Sequence, residues 1–70
     1  MTFTKPDFVR KNISQLLTLR TTRGLMHCDL SKAVGIPEHL LKDYEAGYRF
    51  PIRGNYNRLA NYFGWKVWKL

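Results

Sequence analysis

Apolar residues recur at a helical spacing along most of the chain, beginning just after Pro6 and Asp7. A proline and an acid suit the first turn of a helix, and Thr4 is a candidate cap. The run predicts one helix that continues to about Thr21, with Gly24 marking its end. Its apolar positions are Val9, Ile13, Leu16, Leu17 and either Leu19 or Arg20.

Two shorter helical patterns follow, separated by a corner. The second predicted helix runs from about His27 to Val34 and ends at Gly35. A third helix has Pro37 in its first turn and continues to Gly47. The predicted inner residues are Leu30, Ala33 and Val34 before the corner, Ile36 at it, and Leu40, Leu41 and Tyr44 after it.

A loop over residues 48–55 separates the third helix from a fourth, which covers residues 55–63 and ends at Gly64. The apolar stripe of this helix comprises Tyr56, Leu59, Ala60 and Phe63. The tail, residues 65–70, fits either a last helical turn or a short strand.

Four or five short helices leave little room for a sheet, so we predict an all-α fold. No linker, repeat or low-complexity segment divides the chain, which predicts a single domain over residues 1–70. This length is near the lower limit for folding without disulfides or metals. We therefore expect an interface between subunits to supply additional support.

Charge narrows the choice of partner. The chain has 12 Lys and Arg against 5 Asp and Glu, a net charge of +7. This balance favours a polyanion, with nucleic acid first and an anionic membrane second. The alternative is that the positive charge serves only to keep the protein soluble. The basic residues are scattered, so a folded surface would have to gather them.

Features that the sequence lacks limit the cellular compartment in which we expect the protein. Cys28 is the single cysteine and cannot form an internal disulfide, which indicates a reducing compartment. We see no secretory leader pattern and no apolar run near the roughly 20 residues that span a bilayer. We therefore expect a cytoplasmic protein without a membrane partner.

Metal binding and catalysis are both disfavoured. The spacing of His27, Cys28 and His39 matches no common zinc pattern, and a small buried cysteine with two surface histidines is the simpler interpretation. No nucleophile is accompanied by a base and an orienting group, and no glycine loop is suited to phosphate. We expect no enzyme activity, cofactor, metal or small-molecule ligand.

The second and third helices carry the decisive pattern. Two helices that meet across a tight turn need a small residue where they cross, and Ser31 has that place. They also need a residue at the corner that tolerates an unusual backbone, and Gly35 supplies it. With the apolar anchors on each side, this pattern predicts a helix-turn-helix.

The chain resembles the Cro and lambda-repressor-like (XRE-type) helix-turn-helix transcription regulators over about residues 13–65. The matching positions are Arg20, Gly24–Leu25, Leu30–Ser31, Gly35–Ile36, Glu45–Gly47, Pro51, Leu59–Ala60 and Gly64. Met26 and His27 depart from the family, which has a Ser or Thr cap followed by Gln. Asp29, in the first turn, partly compensates through the helix dipole, and His27 is a candidate for the polar contact that Gln makes in the family.

The resemblance implies that the third helix enters the major groove of DNA. The positions that would meet base edges are Pro37, Glu38, His39, Lys42 and Asp43. Carboxylates repel phosphates but accept hydrogen bonds from the exocyclic amines of cytosine or adenine. Two alternatives stay open: Asp43 pairs with a neighbouring residue, or Glu38 stabilises the helix N-terminus.

Phosphate contacts are implied at two further places. One is the start of the second helix, through the backbone of Met26 and His27, and the other is the loop after the third helix. The loop candidates are Tyr48, Arg49 and Arg53. In relatives, the residues matching Arg20 and Glu45 form a partly buried ion pair, and Arg20 could still reach a phosphate.

The resemblance further implies a homodimer that binds a palindromic operator in double-stranded DNA as a repressor or autoregulator, in a phage, plasmid or other mobile element. The expected dimer surface comprises Tyr56, Trp65, Val67, Trp68 and Leu70, although these aromatic residues could instead cover the core. The rival function is a protein-binding module, such as the antitoxin-like partner of a small toxin, because fold alone does not settle function. The basic charge favours DNA.

Overall fold

Five short helices and their connections make up residues 5–69, the part of the chain that the computed structural model describes. The helices are α1 (Asp7–Ser14), α2 (Leu16–Thr22), α3 (His27–Val34), α4 (Glu38–Ala46) and α5 (Arg53–Phe63). No strand occurs in residues 5–69, so the predicted all-α fold is confirmed. None of the helices in this range is long and apolar enough to cross a membrane. The proposed cap Thr4 lies outside the described residues.

The sequence predicted one continuous first helix. This prediction is wrong, because the helix is interrupted at Gln15 and divides into α1 and α2. The hydroxyl of Ser14 donates to the carbonyl of Lys11 at 2.7 Å. The backbone N–H of Gln15 donates to the carbonyl three residues earlier, at 3.1 Å. Both bonds replace regular helical hydrogen bonding with a tighter turn.

The core draws on all five helices. Its buried apolar residues are Val9, Ile13, Leu16, Leu30, Val34, Ile36, Leu41, Tyr44, Tyr56, Leu59 and Ala60. Full burial of one large aliphatic side chain contributes about 1.5–3 kcal/mol relative to exposure. Ala33 is exposed, contrary to the prediction, because the buried face of α3 is centred on Leu30 and Val34 and Ala33 lies beyond its edge.

The corner between α3 and α4 is three residues long and is fixed from both sides. Gly35 ends α3 with a φ of +74°, a left-handed conformation that glycine adopts most readily. The hydroxyl of Ser31 donates to the carbonyl of Ile36 at 2.6 Å. From α5, Arg58 Nη1 donates to the carbonyl of Val34 at 3.4 Å. These contacts set the direction in which α4 leaves α3.

The tail prediction is also wrong, since residues 65–69 form neither a helix nor a strand. Side chains of α5 bind the backbone of this segment instead. Asn57 Oδ1 accepts a hydrogen bond from the N–H of Trp68 at 2.7 Å, and its Nδ2 donates to the Trp68 carbonyl at 3.1 Å. Tyr56 Oη donates to the Lys66 carbonyl at 2.7 Å. The segment therefore lies along α5 in an irregular conformation.

Candidate functional site

The outer side of α4 gathers four of the predicted base-reading residues. Leu41 and Tyr44 of this helix are buried in the core. Helical spacing then directs the residues at positions 38, 39 and 42 towards solvent. Pro37, Glu38, His39 and Lys42 are all exposed. The N-terminal half of α4 thus presents one acidic, one basic and one imidazole side chain together.

Asp43 differs from the other members of that predicted set. Its side chain is half-buried, and Asp43 Oδ2 accepts a hydrogen bond from Arg49 Nε at 3.0 Å. The backbone N–H of Tyr48 also donates to the Asp43 carbonyl, at 2.9 Å. The loop after α4 therefore folds back onto the helix, and a predicted base-reading residue pairs with a predicted phosphate-binding one.

Arg20 and Glu45 join α2 to the end of α4 by a two-point ion pair. Arg20 Nε lies 2.7 Å from Glu45 Oε2, and Arg20 Nη2 lies 3.1 Å from Glu45 Oε1. The third guanidinium nitrogen, Nη1, donates to the carbonyl of Leu25 at 2.7 Å. Only 8% of Arg20 is exposed. The expectation that Arg20 reaches a phosphate is therefore wrong, because its guanidinium is buried and bonded inside the chain.

His27 is a further partner of Glu45. Its Nε2 lies 3.0 Å from Glu45 Oε1, so the ring donates to the carboxylate and links the start of α3 to the end of α4. Burial raises the pKa of Glu45, but the hydrogen bonds from Arg20 and His27 outweigh this and hold the pKa below its usual value. The hydrogen bond to Glu45 raises the pKa of Arg20.

The start of α3 is already occupied by a carboxylate. Asp29 Oδ2 accepts a hydrogen bond from the backbone N–H of Met26 at 3.0 Å. This N–H is one of the groups predicted to hold a phosphate, so the assignment of Met26 is wrong: its donor is taken, and the adjacent negative charge repels an anion. Asp29 thus satisfies the N–H of the cap residue Met26 itself, whereas a hydroxyl cap would satisfy an N–H two or three residues further on.

The loop after α4 and the start of α5 expose the remaining predicted phosphate-binding side chains. Tyr48 is 82% exposed, and Arg49 and Arg53 are exposed as well. Arg53 is the first residue of α5, whereas the sequence predicted that this helix begins at residue 55. Tyr48 and Arg49 follow the C-terminal end of α4 in the chain, and Arg53 begins the next helix.

The predicted dimer surface requires a correction. Tyr56 is completely buried within its own chain, and its ring stacks on Trp65 at 5.8 Å and meets Trp68 edge-on at 6.0 Å. Its assignment to a surface between copies is therefore wrong. Trp65, Val67 and Trp68 are half-buried, with the two tryptophans packed against the core. Leu70 lies outside the described residues.

Sequence reasoning missed two exposed apolar side chains. Leu17 is 47% exposed and Ile52 is 71% exposed. No periodic signal separates Leu17 from the core positions, because it follows the buried Ile13 by four residues as a core residue would. Cys28 is half-buried rather than buried. Within residues 5–69, no three His, Cys, Asp or Glu side chains form a group that could hold a metal ion.

Comparison with known proteins identifies no relative: no protein-family model matches the chain, and no curated protein or solved structure is detectably similar to it. The family resemblance therefore rests on the motif residues alone.

Proposed function

We propose that the chain is a sequence-specific regulator of transcription that binds double-stranded DNA through a lambda-repressor-like helix-turn-helix formed by α3 and α4. One observation carries the proposal: the N-terminal half of α4 exposes Glu38, His39 and Lys42 directly after the three-residue corner at Gly35. In a helix-turn-helix, the N-terminal residues of the second helix are the ones that contact base edges.

The chemistry of these three side chains suits base recognition. Lys42 donates hydrogen bonds, and lysine in the major groove pairs with the O6 and N7 acceptors of guanine. Glu38 accepts, and a carboxylate pairs with the N4 amine of cytosine. In a chain of net charge +7, the acidic side chain would discriminate between base pairs, while the excess of basic residues would attract the DNA phosphates.

Phosphate binding is assigned to the loop after α4 and to the first residue of α5. Arg49 and Arg53 are exposed there, and both can donate to phosphate oxygens. Arg49 pairs with Asp43, but exposed ion pairs contribute only about 0–1 kcal/mol. A phosphate can therefore compete for Arg49. Tyr48 adds an exposed hydroxyl to the same loop.

We further propose that the protein acts as a homodimer on a palindromic operator and represses transcription by occupying it. Dimers of this class place two recognition helices about one helical turn of DNA apart, which multiplies the contacts of a weak single module. The outer sides of Trp65, Val67 and Trp68 are the proposed contact between copies, since all three are half-buried in one chain.

A binding selection tests the proposal. The protein is used to enrich a pool of duplexes with a randomised segment, and its affinity is then measured on the enriched and a scrambled duplex over a salt series. A preference of at least about 10³-fold, with affinity that falls as salt rises, supports sequence-specific binding. The proposal fails if no sequence is enriched or if binding is independent of salt.

A matched pair of lysine variants assigns the binding to α4. Lys42 lies on the exposed side of α4, whereas Lys11 is an exposed lysine of α1. Lys42→Ala is expected to lower the preference for the enriched duplex, and Lys11→Ala, which removes the same charge, is expected to retain it. Equal losses of preference in the two variants would contradict recognition by α4.

A further inference from the structure

Three of the five large hydrophobic side chains that are exposed within residues 5–69 lie along one side of the molecule. They are Leu17 of α2, Tyr48 of the loop after α4, and Ile52 just before α5, exposed by 47%, 82% and 71%. Such side chains are costly to expose when they are contiguous, and contiguous apolar surface marks interaction sites. Base reading by α4 uses none of the three.

These side chains line two neighbouring open grooves. The larger, of about 510 Å³, lies between the first two helices and the loop after α4 and is lined by Leu17 and Tyr48. The smaller, of about 330 Å³, is lined by Ile52. Tyr44, Arg49 and Phe50 line both grooves. We call this continuous area the Leu17–Ile52 surface.

The charge of the Leu17–Ile52 surface is positive. Arg10 lines the larger groove, and Arg49 lies where the two grooves meet. Glu45 also lines the larger groove, but its carboxylate already accepts hydrogen bonds from Arg20 and His27. The ion pairs of Arg10 with Asp7, at 3.6 Å, and of Arg49 with Asp43, at 3.0 Å, are solvent-exposed. An incoming carboxylate can exchange with either aspartate.

We propose that the Leu17–Ile52 surface docks an acidic, amphipathic peptide segment of a partner protein. Apolar side chains of the peptide cover Leu17 and Ile52, and its carboxylates pair with Arg10 and Arg49. Charge complementarity favours this occupant over a second copy of the chain, whose net charge is also +7. The exposed apolar side chains favour a peptide, which can offer large apolar side chains, over a nucleic-acid backbone, whose contacts with proteins are mainly hydrogen bonds to phosphate and sugar.

Docking of such a peptide would compete with DNA. Tyr48 and Arg49 belong both to the Leu17–Ile52 surface and to the loop assigned to phosphate. A carboxylate on Arg49 occupies the donor that a phosphate would use, and the acidic peptide repels the DNA backbone. An acidic partner protein would then act as an inhibitor of DNA binding. This consequence rests on the proposed function, whereas the docking itself does not.

Selection from a displayed library of random peptides on the full chain tests the docking. The enriched peptides are synthesised, and their affinity is measured by fluorescence anisotropy in the absence of DNA. We expect acidic residues around an aromatic or branched aliphatic residue. Leu17→Asp and Tyr48→Ser should each weaken binding at least about tenfold. Two controls should bind as the unmodified chain does: Thr18→Asp, with the same new charge on the next exposed residue of α2, and Tyr62→Ser, which changes an exposed tyrosine outside the grooves.

Several results would overturn the docking proposal. Enrichment of only basic or neutral peptides would do so, as would equal binding by Leu17→Asp and Thr18→Asp. A dimeric mass in sedimentation that Leu17→Asp alone converts to a monomer would show that a second copy covers this surface. A duplex competition separates the two hypotheses. If peptides bind but no duplex does, the proposed function is contradicted and the docking proposal is supported. If peptides and duplexes both bind without competing, only the proposed inhibition of DNA binding is contradicted.

Discussion

Asp43 accepts a hydrogen bond from Arg49 at 3.0 Å, and this contact joins α4 to the loop that follows it. The same contact places a carboxylate next to a guanidinium that is proposed to hold phosphate. The Arg49 side chain is 62% exposed and that of Asp43 is 31% exposed. The pair therefore lies at the surface, where it adds little stability but reduces the positive charge available to the proposed DNA partner.

Replacing Asp43 by asparagine should raise the affinity for enriched and scrambled duplexes alike. The change releases Arg49 and removes a negative charge beside the phosphates, and an exposed pair of this kind corresponds to a change of about two- to fivefold. Anisotropy titrations on the two duplexes measure it. Asp7→Asn removes an acid paired with Arg10 on α1 and serves as the control. A loss of preference with unchanged affinity for the scrambled duplex would mean that Asp43 reads a base.

The losses of stability caused by replacing Arg20 and Glu45 should be strongly non-additive. Each single alanine replacement leaves a buried charge without its partner and should cost about 3–5 kcal/mol. This is a large share of the roughly 4–10 kcal/mol expected for a domain of 70 residues. The double replacement should cost less than the sum of the two, by about 0.5–3 kcal/mol. Urea unfolding at low temperature measures all three variants.

The exposed pair of Asp7 and Arg10 provides the matched comparison for that cycle. Its atoms are 3.6 Å apart and both side chains are largely exposed. Alanine replacements there should add within a few tenths of a kcal/mol. If the Arg20 and Glu45 variants also add, the pair does not connect α2 to α4 energetically.

The depressed pKa of Glu45 predicts part of the acid sensitivity of the fold. Above the carboxyl pKa of the unfolded chain, near 4.5, Glu45 is ionised in both states and its full stabilisation is present. As the pH falls below this value, the unfolded chain binds the proton first, and the stabilisation is lost as the pH falls through the folded pKa. The free energy of unfolding should therefore decrease less steeply with falling pH in Glu45→Gln than in the unmodified chain.

Glu38→Gln is the control for this measurement, because it removes an exposed glutamate that is also on α4. The pH dependence of Glu45→Gln is compared with that of this variant, which removes one carboxyl group from the same helix. If Glu45→Gln shows the same pH dependence as the unmodified chain, other carboxylates dominate the acid response.

Helix ends could be predicted from the sequence, whereas interruptions within the apolar pattern could not. Glycine at Gly35 or Gly47 ends a helix because it adopts the left-handed conformation that other residues avoid. The break at Gln15 is different. Ile13 and Leu16 stay three residues apart on the buried side of the chain, so the apolar pattern passes through the break unchanged.

Partners of the polar side chains depended on tertiary structure and were predicted less well. Asp43 was expected to meet DNA or a residue of its own helix, but its partner Arg49 reaches it only because the loop folds back at Gly47. The tail was predicted as a helical turn or strand, since nothing local indicates that Asn57 would bind the backbone of Trp68. Contacts of this kind follow from packing and have no periodic signal.

Alanine at Gly35 should be more destabilising than alanine at Gly47. Both residues have a positive φ, +74° and +83°, so each substitution carries backbone strain of about 1–2 kcal/mol. At Gly35 the added methyl group would also lie 2.8 Å from Arg58 Nη1, whereas nothing lies within 4 Å of it at Gly47. Arg58→Ala should relieve part of the cost at Gly35 and none of it at Gly47. Urea unfolding of Gly35→Ala, Gly47→Ala, Arg58→Ala and the two double variants tests this, and an equal effect of Arg58→Ala on both glycine variants would refute the contact.

The two kinds of DNA contact should separate in a comparison of Glu38→Ala with Arg53→Ala. Arg53 is assigned to phosphate, so its loss should weaken binding to enriched and scrambled duplexes by similar factors. The slope of log affinity against log salt should also become shallower by about one unit. Glu38 lies exposed at the start of α4, where a carboxylate can accept from a base amine. Its loss should cost about 1–3 kcal/mol on the enriched duplex and relax the preference at one or two base pairs. Affinity for the scrambled duplex should not fall, because a charge that repels phosphate is removed. If Glu38→Ala keeps the preference and Arg53→Ala abolishes it, the two roles are reversed.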